Sequence, residues 1–192
     1  MKHLIVYAHP NPKSFNHAIM ETLQQAYQAK GHSLTIRDLY AEGFSPVLTP
    51  SDFAAMGEGR LPQDILREQE YIKNADFITF VYPIWWAGLP AILKGYIDRV
   101  FLKGFAYDYG ADGVVGLLKG KKAAIINTTG SPEPVYDHSG MIKSMNQTGE
   151  QGIFGFCGME VVAHLYFGGV PTSTPEQRQD MLQRIRGLAE KF

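Results

Sequence analysis

The stretch LIVYAHPNPKSFN, residues 4–16, joins two different periodicities across a short turn. Leu4 to Ala8 is an unbroken apolar run, as a strand buried on both faces of a parallel sheet requires. After two prolines, Ser14 stands in an N-cap position, and Phe15, Ala18, Ile19, Thr22, Leu23, Ala26 and Tyr27 recur at helical spacing, with Gly31 after Lys30 as a C-cap signal. A strand that turns directly into a helix presents the free N–H groups of the helix start just beyond the strand end. Such a helix start accepts an anion, a phosphate above all, here with Ser14, Asn16, Lys13 and His9 in reach.

The same alternation continues along the chain. Ser33 to Asp38 reads as a second strand, residues 40–62 as a loop rich in Gly, Pro and Ser, and Asp64 to Asn74 as a helix. Phe77 to Tyr82 is another apolar strand, followed by a helix that Pro90 opens and that carries Ile92, Leu93, Tyr96, Ile97, Val100 and Phe101. Ala123 to Ile126 and Val161 to Phe167 are the remaining strands, residues 141–156 are helical in part, and Pro175 opens a terminal helix. Strands separated by crossover helices form a parallel sheet covered on both faces, so the expected architecture is α/β: a doubly wound, flavodoxin-like sandwich with five parallel strands in one domain, 1–192. Ligands of such sheets bind beyond the carboxyl ends of the strands. The loops at residues 9–16, 83–90 and 127–140 are therefore the functional ones.

Composition narrows the partners. With 192 residues, 18 basic and 19 acidic side chains and a formal net charge of -1, the chain has no basic run suited to a nucleic acid. A single cysteine, Cys157, excludes an internal disulfide and a cysteine-based zinc cluster, which fits a reducing, cytoplasmic setting. The apolar stretch before Pro10 is too short for the centre of a signal peptide, and the longest uncharged stretch, residues 77–93, contains two prolines and a glycine and falls short of the roughly 20 apolar residues of a membrane span. Neither secretion nor membrane insertion is expected.

The second and third loops hold the remaining unusual residues. Pro83, Ile84, Trp85 and Trp86 put both tryptophans of the chain at the end of a central strand, where flat side chains can bound a planar ring system. Adjacent residues of an extended segment point to opposite sides, so one core cannot take both indoles. Thr128, Thr129 and Gly130 begin a polar loop that also carries Tyr136 and His138, two side chains able to donate a hydrogen bond to developing negative charge. The first turn contains neither a G-x-G-x-x-G nor a Walker pattern. Gly110, Gly113 and Gly116 read as mobile backbone over the pocket, Cys157 as a packed small hydrophobe, and His164 as a satisfied core histidine.

Taken in order, Ala8-His9 with Ser14-Phe15-Asn16, Gly59-Arg60-Leu61 through Asp64-Ile65 to Glu68-Gln69, and Tyr82-Pro83 through Trp85 and Gly88-Leu89-Pro90 to Arg99-Val100-Phe101 form a specific series. It continues with Phe105 to Tyr109, Thr128-Thr129-Gly130, Tyr136 and Phe156-Cys157-Gly158. This series resembles the NAD(P)H:quinone oxidoreductase (DT-diaphorase-like) family, short bacterial members included. The resemblance implies a flavin, FAD or FMN, held through its phosphate by His9, Ser14, Phe15 and Asn16, with its ring against Pro83, Ile84, Trp85 and Trp86 and its polar edge on Thr128, Thr129 and Gly130. It implies a homodimer in which Tyr107 and Tyr109 reach the substrate pocket of the neighbouring subunit, and a role for Tyr136, with a histidine, in stabilising the reduced flavin anion. The family's histidine position is Ile142 in this chain, leaving His138 as the nearest histidine. The chain stops at Phe192, without the C-terminal extension of the animal enzymes, and its 40–62 loop is shorter than theirs; Asp98, at an acidic family position near the adenosine, inclines the choice to FAD.

The implied activity is two-electron transfer from NADH or NADPH to the flavin and then to a quinone or similar acceptor, in ping-pong fashion. The alternatives from the same resemblance are an electron carrier of the flavodoxin type, for which a net charge of -1 offers little docking field, and a regulatory subunit of a potassium-efflux system.

Overall fold

The computed structural model describes residues 1–192. In chain order the elements are β1 (Lys2–Tyr7), α1 (Phe15–Ala29), β2 (Ser33–Asp38), α2 (Pro50–Gly57), α3 (Gln63–Asn74), β3 (Phe77–Pro83), α4 (Ala91–Val100), β4 (Tyr107–Gly110), β5 (Gly113–Gly116), β6 (Lys122–Thr128), α5 (Glu133–His138), α6 (Met141–Asn146), a π-helical segment Gln147–Gly155, β7 (Glu160–Phe167) and α7 (Pro175–Lys191). β1, β2, β3, β6 and β7 form one parallel sheet in the order β2-β1-β3-β6-β7. This is the flavodoxin-like arrangement expected of the strand pattern.

Continuous apolar strands arise here because each face has its own core. Leu4 and Val6 of β1, with Ala8 just beyond its end, join Phe80, Tyr96 and Phe154 on the side of α3 and α4, whereas Ile5 and Tyr7 join Ile19, Leu23 and Ile185 under α1 and α7. All seven residues of β3 are buried. α1 begins where Ser14 Oγ accepts from the His17 N–H at 3.1 Å, and ends before Gly31, whose φ of +69° suits a residue without a Cβ.

Three segments differ from the sequence reading. The 40–62 loop contains α2, capped by a reciprocal Thr49–Asp52 box; with eight residues and an exposed Phe53 it has too little apolar periodicity to be seen. Its second carboxylate oxygen ties the segment to α4, where Arg99 donates to Asp52 at 3.1 Å, Asp64 at 2.7 Å and the Ser45 carbonyl at 2.8 Å. Gly95 permits this approach, since a Cβ there would lie 2.1 Å from the Pro46 carbonyl oxygen. The glycines at 110, 113 and 116 belong to an ordered antiparallel hairpin, β4–β5, rather than to mobile backbone. The third loop contains the short helix α5.

The turn after β3 is strained. Trp85 and Gly88 exchange two backbone hydrogen bonds of 3.1 Å, and between them Trp86 and Ala87 hold φ values of +51° and +57°. Two consecutive non-glycine residues in the left-handed region cost about 1–2 kcal/mol each. Ala87→Gly should therefore raise stability by about 1 kcal/mol in chemical denaturation, after allowing for glycine's greater freedom in the unfolded chain.

At the opposite end of the sheet His3 is 2% exposed, stacks on Tyr27 with ring centroids 3.7 Å apart and has Nε2 2.9 Å from His32 Nδ1. Burial, with the neighbouring His32 second, lowers its pKa from 6.5 to about 4. The unfolded chain takes up a proton that the folded one refuses, so this contribution to stability is complete above pH 6.5 and is lost as pH falls towards 4. The unfolding free energy should drop across that window by at most about 3 kcal/mol, and His3→Phe should flatten the slope.

Candidate functional site

The carboxyl ends of β1, β3 and β6 open into a cleft of about 730 Å³. One wall is the turn into α1. Asn11 organises it: its Oδ1 accepts from the Lys13 N–H at 2.9 Å, its carbonyl from the Ser14 N–H at 3.1 Å, and its own N–H donates to His9 Nδ1 at 3.0 Å. A histidine that accepts at Nδ1 carries its proton on Nε2, and burial lowers the His9 pKa, so His9 is a neutral donor there. The N–H groups of Phe15 and Asn16 have no partner in the chain, as expected of a helix's first turn. Asn16 is 3% exposed; its Nδ2 donates to Thr128 Oγ1 at 2.7 Å, while its Oδ1 is buried without a partner.

The opposite wall comes from the strained turn and from the loop after β6. Ile84 N–H donates to the Thr128 carbonyl at 2.8 Å, which extends the β3–β6 ladder into the cleft. Both indoles leave the core: Trp85 is 41% exposed, with its ring 6.0 Å from that of His9, and Trp86 is fully exposed. Thr129 is held by its N–H to the Phe167 carbonyl at 2.9 Å and its Oγ1 to the Ser131 carbonyl at 2.7 Å. Pro83, Gly130 and Tyr136 complete this side.

The cleft thus brings together His9, Ser14, Phe15, Asn16, Pro83, Ile84, Trp85, Trp86, Thr128, Thr129, Gly130 and Tyr136. His138 does not line it. Two residues along α5 rotate a side chain by about 200°, so His138 points away from the face that carries Tyr136. Asp98 and Tyr107 line a different, apolar cavity of about 440 Å³ beside α4, together with Phe53 and Phe156; Asp98 is paired there with Lys94 at 2.6 Å. Tyr109, 66% exposed, stands edge-on to Tyr107.

Sequence reasoning missed Arg178. It reaches the cleft from the first turns of α7, oriented by bonds from Nε to Ser173 Oγ at 2.9 Å and from Nη2 to the Val170 carbonyl at 3.1 Å. An arginine in an exposed terminal helix carries no local signal of such a role. With Lys13 it gives the cleft two full positive charges, and no carboxylate lines it, although the chain as a whole is slightly negative. Two unpartnered N–H groups and an electropositive wall suit an anionic group; the orphaned Asn16 oxygen suits a hydroxyl donor; exposed aromatic surface and Thr hydroxyls suit a flat ring with a polar edge.

The family described as flavodoxin-like fold matches residues 1–189. An uncharacterized NAD(P)H oxidoreductase of Haemophilus influenzae is 41% identical over 95% of this chain and 91% of its own length. The NAD(P)H dehydrogenase [quinone] 1 of Cavia porcellus is 35% identical over 93% of this chain and 72% of its own. Among solved structures, a putative quinone reductase from Klebsiella pneumoniae superposes with a TM-score of 0.93 at 30% identity, covering 99% of this chain and 84% of that one. In sequence and in overall fold, the chain belongs to the NAD(P)H:quinone oxidoreductase family of the flavodoxin-like fold.

Proposed function

We propose that the chain is a flavin-dependent NAD(P)H:quinone oxidoreductase that works as one flavin-binding domain over residues 1–192 and pairs into a homodimer. The observation that carries this reading is the make-up of the cleft: two cations, free helix-start N–H groups, two exposed indoles and threonines, with no carboxylate among the lining residues. Phe15 and Asn16 N–H, Ser14, Lys13 and Arg178 would hold the flavin phosphate, and Asn16 Oδ1 a ribityl hydroxyl. Pro83, Ile84, Trp85 and Trp86 would bound the ring, with Thr128, Thr129 and Gly130 on its polar edge. The bound flavin supplies the hydride chemistry, accepting from NADH or NADPH and delivering to a quinone.

The chain's own contribution is orientation and electrostatics. Tyr136 is the cleft's phenolic donor, and its O–H serves the edge where negative charge grows. The two substrates use the same open face in turn, which produces ping-pong kinetics. Asp98, Tyr107 and Tyr109 lie outside the cleft of their own chain, so they serve a site only from a second copy; Trp86 and Phe156 offer exposed aromatic surface to it. An adenosine at the partner's Asp98 is the reason to favour FAD over FMN.

Purified protein should be yellow, release a flavin identifiable by chromatography, sediment as a dimer and oxidise NAD(P)H with a simple quinone; a colourless protein that takes up no flavin ends the reading, and negligible turnover with bound flavin marks an electron carrier. Tyr136→Phe should raise the barrier to flavin reduction in stopped flow by about 2.7–4 kcal/mol, roughly 100-fold to 1,000-fold in rate, with nicotinamide binding little changed.

A further inference from the structure

Behind the ring-bearing turn lies a buried polar chain that the proposed chemistry leaves unused. Asn127, the residue before Thr128, is fully buried; its Nδ2 is 3.4 Å from the Tyr82 carbonyl and its Oδ1 2.7 Å from His164 Nε2. The other ring nitrogen of His164, Nδ1, lies 2.9 Å from Glu150 Oε1 in the π-helical segment, and the imidazole stacks on Tyr166 at 4.3 Å. The His164 side chain is 6% exposed, while that of Glu150 is 30% exposed. A π-helical turn inside a helix often marks a functional position, and this one carries the carboxylate.

Proton counting makes the arrangement bistable. With Asn127 Nδ2 donating to the Tyr82 carbonyl, Asn127 Oδ1 accepts from His164 Nε2–H, and the contact with Glu150 then needs a second proton, on His164 Nδ1 or on the carboxyl group. When one proton is lost to solvent, Glu150 is left as a carboxylate that can only accept, so the imidazole shifts to the tautomer whose single proton is on Nδ1. Nε2 is then bare. The donor within its reach is the Asn127 amide, which must turn over and leave the Tyr82 carbonyl.

We infer that Glu150, His164 and Asn127 form a protonation-gated positioning relay for the ring-bearing ends of β3 and β6. Protonated, the relay holds the Tyr82 carbonyl one residue before Pro83; deprotonated, it releases it. Three titratable groups face His164: Glu150, Tyr166 from its own strand and, through Asn127, Tyr82 of β3; burial raises the pKa of both phenols, that of Tyr82 to about 12, so neither titrates in the working range. Burial also lowers the His164 pKa, and Glu150 offsets part of that, which places the change below the ordinary 6.5. As a functional device the relay rests on the flavin reading given above.

Two measurements on the full chain test it. In an NMR titration of the ¹⁵N-labelled protein, neutral His164 should carry its proton on Nδ1, and the Asn127 side-chain amide should shift in the same transition. A neutral His164 protonated on Nε2, or an Asn127 amide that ignores the titration, overturns the relay. The second uses FAD and the variant Glu150→Gln, whose carboxamide can donate to His164 Nδ1 and so keep Asn127 in one orientation at every pH. His9 and the FAD phosphates behave alike in both proteins and cancel. The ratio of wild-type to variant dissociation constants should therefore change by about threefold to tenfold between about pH 5 and 8, the effect of one buried hydrogen bond. A constant ratio also overturns the relay. If FAD binds neither protein, the flavin reading has failed, and the NMR titration alone decides the relay.

Discussion

The 2.8 Å hydrogen bond from the Ile84 amide to the Thr128 carbonyl lies at the point on which the cleft depends. It carries the β3–β6 ladder one step beyond Pro83, so the turn holding the indoles and the loop holding the threonines leave the sheet in register. Thr128 is anchored from the other side by Asn16, and Asn16 sits in the first turn of α1. Three loops from distant parts of the chain are thereby fixed to one another through a single residue. Because a parallel ladder admits no independent movement of its central strands, a change of position at any of the three is felt by the others.

Much of the stabilising polar structure lies away from the cleft. Glu68 is 1% exposed and receives both Nε and Nη2 of Arg37, at 3.0 and 2.7 Å, which binds β2 to α3. Gln69 donates to the Val100 carbonyl at 3.0 Å, and Arg99 gathers Asp52, Asp64 and Ser45. These buried charges are paired and hydrogen-bonded, as burial demands. Several residues that gave the chain its family resemblance serve this outer structure: Glu68 holds α3 to β2, while Asp64, Gln69 and Arg99 join α2, α3 and α4 to one another. The cleft itself has the opposite character: its charges and donors are left open, and its turn at Trp86 and Ala87 keeps a left-handed backbone that only surrounding contacts sustain.

The legible part of the protein was the part governed by local periodicity. Leu4 to Ala8, Phe77 to Tyr82 and the α1 pattern showed their partners because a strand covered on both faces and a helix covered on one have distinct apolar spacings, and the Ser14 cap followed from its place before the first apolar repeat. α2 was hidden because a short, half-exposed helix has too few buried positions to make a pattern. The β4–β5 hairpin was hidden because it is two four-residue strands that are largely glycine and exposed valine, with Tyr107 as the side chain packed against the core, too few inward positions to alternate.

The amino-acid sequence by itself determined the order of strands and helices, the strand ends at which function would lie, and the chemical types gathered there, since each of these follows from neighbours within a few residues. Tertiary structure alone decided which side chains meet. It turned His138 away from Tyr136, because two positions on a helix lie on opposite sides, and it brought Arg178 across from the last helix. It also put Asp98 and Tyr107 around a separate cavity and joined Asn127, His164 and Glu150 beneath the ring-bearing turn. Contacts between residues far apart in the chain depend on how the layers pack, and packing is a property of the whole assembly that no single stretch of sequence encodes.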